Sequence, residues 1–273
     1  MQKKIIFLDI DGTLIDFYGR LPESAKRALE LAKAAGHHLV LCTGITRSEI
    51  YPELLKMNFD GIIGSAGAYV ECGGEVIYRH VIDEEHLASV LDFFGKKGIT
   101  YCLQTGEGVV MTGKNRIGFR DHFLKAGIKE EDIWRILVAS VIEEEDSRMR
   151  KNVEKVANYG APFTIEEIQQ VLGAYFKVEG ASYGKNTVSN GEITCANETK
   201  ATGIQRYMRH IGARMEQTIG IGDGLNDVDM FSQTAFTVAM GNAKPETKAI
   251  ADYITTDVNE DGLWNGFKYL GLI

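Results

Sequence analysis

The sequence predicts an α/β fold: a doubly wound core on a parallel sheet, with an α+β domain inserted into it. Three observations predict it. Over residues 1–80, short and wholly apolar runs alternate with amphipathic helical stretches, the pattern of parallel strands covered on both faces. The same alternation returns from "KATGIQRYMRHIGA" to the end of the chain. Between these halves, residues of hairpin type and several helices follow a different order, one that fits a separate α+β unit.

Each element follows in order. "KKIIFLD" is an isoleucine-rich strand, and "PESAKRALELAKAAG" has helical spacing through Ala25, Leu29, Leu31 and Ala32. Pro22 near its start and Gly36 at its end are the usual punctuation. "HHLVLCTG" is a second buried strand. "TRSEIYPELLKMNF" reads as a helix with Pro52 in its body, and "DGIIGSAG" as a third strand. The insert opens with the amphipathic helix "DEEHLASVLDFFGKKG", followed by a hairpin of "ITYCLQT" and "GVVMTG". "RIGFRDHFLKAG", "SRMRKNVEKVANYG" and "TIEEIQQVLG" read as helices, with "VIEEEDSRM" as the solvated, acidic start of the second. "AYFKVEG" is a strand. The last part reads as helix ("KATGIQRYMRHIGA"), strand and turn ("QTIGIGDG"), short helix ("NDVDMFSQ") and strand ("AFTVAMGN"). "KPETKAIADYIT" then closes it as helix and strand. The expected division is a Rossmann-like core over 1–82 and 185–273, with a cap domain over 83–184.

With 273 residues, 44% of them hydrophobic, the chain has ample material for both cores. A net charge of −8 argues against a global attraction to nucleic acid or an anionic membrane. No apolar run approaches the ~20 residues that span a bilayer, and the N-terminus lacks a signal-peptide pattern. Cys42, Cys72, Cys102 and Cys195 show neither a disulfide framework nor zinc spacing. A cytoplasmic location is the expectation.

In a parallel sheet, ligands bind outside the carboxyl ends of the strands. The first strand ends in Asp9, Asp11, Gly12 and Thr13, the second in Thr43 and Gly44. "QTIGIG" ends in Asp223, Gly224, Asn226 and Asp227. Acids gathered on one rim repel, and a hard divalent cation with oxygen ligands, Mg²⁺ above all, offsets that repulsion while leaving room for a phosphate. Gly12, Gly44 and Gly224 allow sharp turns that bring N–H groups to an anion. Lys200 adds a point positive charge. These parts suit phosphoryl transfer, in which a carboxylate can act as nucleophile and a second can move protons.

"DIDGTL" (Asp9 to Leu14), "LVLCTG", "EITCANETKATGI" and "GDGLNDVDM" together resemble the four motifs of the haloacid dehalogenase-like hydrolases, in the order of the Cof-type phosphatases. The resemblance covers the core. It implies that Asp9 is the nucleophile and a Mg²⁺ ligand. Asp11 would be the general acid/base, with its carbonyl on the metal. It further implies that Thr43, Gly44, Lys200, Asn226 and the Ile10 backbone hold the phosphate. Asp223 would bind the metal, and Asp227 would support it. The implied partner is a small phosphorylated metabolite, a sugar phosphate in the first place. Two positions depart from the family's usual text. Ile45 stands where Arg commonly follows Gly44, and Ala66 stands where Asn is common.

Other readings fail on spacing. "DIDGTL" has Gly12 at the fourth place, where a calcium loop needs its glycine sixth. Gly220, Gly222 and Gly224 do not form G-x-G-x-x-G, and "GASYGKN" misses the phosphate-loop pattern. His37 and His38 are adjacent strand residues that point to opposite faces, so they read as structural. Two alternatives to hydrolysis remain open at this point: a phosphotransferase or phosphomutase, and a non-catalytic protein that binds phosphometabolites. Oligomeric state is not legible.

Overall fold

The computed structural model describes residues 3–16, 18–134, 136–180 and 190–273. The strands come first in chain order as β1 (Ile5–Leu8), β2 (His38–Cys42), β3 (Gly61–Gly64), β4 (Tyr69–Cys72) and β5 (Glu75–Arg79). Next are β6 (Thr100–Thr105), β7 (Val109–Met111), β8 (Val141–Glu143), β9 (Val153–Tyr159) and β10 (Phe176–Gly180). The last are β11 (Gly191–Cys195), β12 (Thr218–Gly222), β13 (Phe236–Ala239) and β14 (Tyr253–Ile254). The helices are α1 (Glu23–Ala34), α2 (Pro52–Leu55), α3 (Glu84–Lys97), α4 (Gly113–Lys125) and α5 (Glu130–Ile133). They continue as α6 (Ile165–Leu172), α7 (Lys200–Ile211), α8 (Asp227–Phe231), α9 (Pro245–Ile250) and α10 (Gly262–Tyr269).

The chain forms two compact units: Met1–Gly44 with Glu53–Arg79 and Thr199–Ile273, and Ile45–Pro52 with His80–Glu198. The expected boundary at 82 falls just after the end of β5. The one expected between 184 and 185 gives way: the second unit runs on to Glu198 and takes in β11, which pairs with β9 and β10, while positions 184 and 185 themselves, with most of "GASYGKN", lie outside the described residues.

The first unit holds a sheet in the order β14-β13-β12-β1-β2-β3-β4-β5. From β14 to β3 all neighbours run parallel, and β4 and β5 are added as an antiparallel hairpin. The chain winds from β1 out to β3 on one side and from β12 out to β14 on the other. The two directions meet between β1 and β12, paired from Ile5↔Thr218 to Leu8↔Ile221. That junction is the switch point where a doubly wound sheet opens a crevice. All four β1 residues are buried. Ile5 and Phe7 join Ile204, Tyr207 and Met208 of α7 and Met230 and Phe231 of α8 in one core. α1 packs against β2 and α10.

The second unit holds a sheet in the order β10-β11-β9-β6-β7-β8, antiparallel except between β7 and β8. Neighbouring residues of β6 point to opposite cores. Leu103 packs with Val90, Leu91 and Phe94 of α3 and Ile168 of α6. Cys102 packs with Phe119 and Phe123 of α4. The helices are capped as their sequences demand: Asp83 starts α3, Thr112 starts α4, and Thr164 with Glu167 forms a capping box on α6.

Three expectations give way. "SRMRKNVEKVANYG" is not a helix. Its Ser147–Met149 is a single tight turn, and the rest is β9, central between β6 and β11 and buried at all seven positions. Cover on both faces erased the polar alternation that marks a strand, and Met149, Val153 and Val156 imitated helical spacing. "VIEEEDSRM" begins with the edge strand β8 rather than a helical turn. "TRSEIYPELLKMNF" breaks at Pro52, which becomes the first residue of the one-turn α2, where its missing N–H costs nothing. The β4–β5 hairpin is an element not anticipated from the sequence, and Gly73 and Gly74 turn it with φ of 58° and 85°.

Candidate active site

The chain leaves β1 at Leu8, but the Asp9 N–H still reaches the Ile221 carbonyl at 3.0 Å, so Asp9 stays in register with β12. A tight turn follows. The Ile10 carbonyl accepts N–H bonds from Thr13, Leu14 and Ile15 at 3.2, 2.9 and 2.9 Å. Gly12 turns with φ of 84°, and a Cβ there would collide with the Asp223 carboxylate. The close approach lets the Thr13 hydroxyl donate to Asp223 Oδ1 at 3.2 Å. Gly12→Ala is therefore expected to lose activity and about 1–3 kcal/mol of stability together, since it strains the backbone and displaces Asp223. Steady-state kinetics and urea unfolding check it.

β12 delivers Asp223 to the same rim, and α8 begins four residues later with Asp227. Asp227 is fully buried. Its Oδ2 accepts the N–H groups of Asp223 and Gly224 at 2.9 and 2.8 Å, which shapes the loop that carries Asp223. Gly222 leaves room for it, because a Cβ there would strike the Asp227 carboxylate.

Lys200 comes from the first turn of α7, started by a Thr199–Thr202 capping box. It is 1% exposed. Its Nζ donates to Asp9 Oδ1 and to Asp227 Oδ1, each at 2.5 Å. Burial opposes the ammonium charge, but Asp227 and Asp9 outweigh it and hold the Lys200 pKa above its ordinary value. Burial, and after it the Asp227 charge, pushes Asp9 well above the usual carboxylate range despite Lys200. Asp223 is pushed up to about 7 by burial first and Asp227 second, with Asp11 adding a further like charge.

Asp9, Asp223 and Asp227 each offer an oxygen, and those oxygens lie within 4.8 Å of one another. Three carboxylates face one ammonium, so the site has negative charge to spare. An all-oxygen donor set suits a hard divalent cation. The nearby Cys42 is buried with its thiol pKa pushed up, and it is no competing ligand.

Thr43 and Gly44 follow β2. The Thr43 N–H donates to the Ile63 carbonyl at 2.8 Å, and its own carbonyl accepts from Ala66 N–H at 3.1 Å. Gly44 faces Asn226, since a Cβ on it would stand 3.7 Å from Asn226 Nδ2. The structure thus gathers Asp9, Asp223, Asp227 and Lys200 in one bonded cluster with Asp11 acting on Asp223, and it sets Gly44 beside Asn226. Ile10 is buried.

Ser65 and Ala66 both have left-handed backbone, with φ of 50° and 53°. Asn tolerates that conformation better than Ala, so the departure at 66 carries a strain. Ala66→Gly is expected to stabilise the protein by about 0.5–1 kcal/mol, read as a higher urea midpoint.

Two contributors have no role assigned from the sequence: Thr13, which stands at the end of the first strand, and Asn242. Asn242 follows β13 at the same rim, and its place at a strand's carboxyl end was the available signal.

A family model described as haloacid dehalogenase-like hydrolase matches residues 6–267. A solved structure reported as the subclass IIB sugar phosphatase BT4131 is 31% identical, with a TM-score of 0.80 over 99% of this chain and 100% of that one. A second, from a report on a trigonal-bipyramidal intermediate in a phosphoryl-transfer superfamily, is 30% identical, with a TM-score of 0.81 over 100% of both chains. The Bacillus subtilis (strain 168) 5-amino-6-(5-phospho-D-ribitylamino)uracil phosphatase YcsE is 26% identical over 97% of this chain and 95% of its own length. Among the described residues, no helix is long and apolar enough to cross a membrane.

Proposed function

The chain belongs to the haloacid dehalogenase-like hydrolases and is an enzyme of the phosphatase kind, and from that premise we propose a Mg²⁺-dependent phosphomonoesterase acting through an aspartyl-phosphate. The observation that carries it is the buried cluster of Asp9, Asp223, Asp227 and Lys200 at the switch point of the sheet.

Asp9 attacks the phosphorus, and the bond to the leaving oxygen breaks as Asp11 delivers a proton to it. Asp11 then takes a proton from water. That water attacks the phosphorus, the bond to Asp9 breaks, and inorganic phosphate leaves. Lys200 balances charge on Asp9 and on the phosphoryl oxygens, with Thr43, Gly44, Asn226 and the Ile10 backbone holding those oxygens. Asp9, Asp223 and the Asp11 carbonyl would hold the cation, whose charge offsets that of the phosphate. Asp227 acts by shaping the Asp223 loop.

The substrate class we infer is a phosphate ester on a polyhydroxylated carbon chain. BT4131 is named a sugar phosphatase and YcsE a phosphatase of a phosphoribityl compound, and these names share that feature. The four cysteines, all free, accord with a cytoplasmic setting.

A panel of phosphorylated sugars and polyols, assayed with Mg²⁺ and with EDTA and scored by phosphate release, tests the proposal. Metal-dependent release on the polyol members is expected. An isomerised phosphoester without free phosphate would mean mutase chemistry. A panel without turnover would mean a binding protein.

A further inference from the structure

We propose that Asn242 is a positioning residue for the metal site, clamping the Asp11–Gly12 turn to Asp223; this rests on the metal-site reading above. Asn242 Nδ2 donates to the Gly12 carbonyl at 2.8 Å and to Asp223 Oδ2 at 3.4 Å. Its Oδ1 accepts the Val258 N–H at 2.9 Å.

That third bond settles the orientation of the amide. A backbone N–H can only donate, so Oδ1 must face Val258 and the NH₂ group must face the two acceptors. The reversed amide would set N–H against N–H on one side and oxygen against two oxygens on the other. One side chain thereby ties together the loops after β1, β12 and β14.

The residue type matters as much as the place. The amide supplies two donors without charge. A lysine there would compete with a cation for Asp223, and an aspartate would add a carboxylate to a site already rich in them. Asn242 thus holds Asp223 by one oxygen and Gly12 by its carbonyl, so that Asp11 and Asp223 keep their spacing.

The surrounding backbone supports the clamp. Met240 N–H donates to the Gly222 carbonyl at 3.0 Å, and Lys244 N–H to the Asp223 carbonyl at 3.0 Å. Thr247 Oγ1 donates to the Gly224 carbonyl at 2.9 Å. In this belt of residues from 240 to 247, Asn242 is the side chain that reaches across to the first loop.

The test is calorimetric titration of Mg²⁺ into wild type, Asn242→Ala and Asn242→Ser, alongside kinetics across Mg²⁺ concentrations. Loss of a group that orients a metal ligand typically costs about 10–100-fold in metal affinity. Both variants are expected to bind Mg²⁺ weaker by that factor, with kcat recovering at saturating Mg²⁺ and the KM for phosphoester unchanged. Asn242→Ser keeps a polar group and is the variant to read if Asn242→Ala melts below the assay temperature. Asn265→Ala is the control for stability, since Asn265 of α10 donates to the Thr256 hydroxyl and the Glu260 carbonyl in the loop before that helix. It is expected to lower the melting temperature without moving the Mg²⁺ affinity. Wild-type affinity in both Asn242 variants would overturn the inference and leave the phosphatase reading standing. A wild type that binds no Mg²⁺ would overturn both.

Discussion

Asp9→Asn is expected to lower kcat by about 10⁴-fold or more while the fold stays intact. Asparagine is close in shape but does not form the acyl phosphate that splits the reaction into two displacements. The stability effects oppose each other. Burial and Asp227 disfavour the Asp9 charge, so a neutral amide relieves a penalty. Lys200 loses one of its two carboxylate partners but keeps Asp227. Phosphate release and thermal melting measure the two halves of the prediction. Turnover near the wild-type level in a folded Asp9→Asn protein would sink the aspartyl-phosphate mechanism.

Lys200→Met is expected to cost about 3–5 kcal/mol of stability at neutral pH, together with most of the activity, because it leaves buried carboxylates without their cation. The methionine fills similar volume, so the loss reports charge rather than a cavity. Its pH dependence has a definite sign. Asp9 and Asp223 hold their protons above the ordinary carboxylate range in the folded chain, so folding favours their neutral forms. That preference costs nothing below the unfolded pKa near 4, and it costs stability progressively as pH climbs through it towards about 7, the value for Asp223. Removing Lys200 strengthens the preference. The deficit of the variant should therefore be small at pH 4 and largest at neutral pH, and Mg²⁺ should recover part of it. Urea unfolding at several pH values, with and without Mg²⁺, reads all three. A deficit independent of pH would show that Lys200 acts by packing alone.

Much of the site was legible because its signals are local. Asp9, Asp11, Asp223 and Asp227 each stand just after an apolar run, and a buried strand followed by acids is visible within a dozen residues. Ala66 was legible as a departure, but its cost was not, since a φ of 53° is a property of the folded backbone. β9 was misread because a central strand with both faces covered has no polar alternation to display. β8 was misread because acids suit a helix start as well as an exposed edge.

By itself the sequence determined the fold class, the run of core elements and the carboxylates at the strand ends. Those depend on periodicity and chain adjacency, which act over a few residues. The tertiary structure alone decided that β1 lies beside β12, and that Lys200 sits between Asp9 and Asp227, 191 and 27 residues away. It also brought Asn242 to the Gly12 carbonyl across 230 residues. Such contacts arise when distant strands close into one sheet and bury its faces. No local pattern encodes which loops that closure brings to the same rim.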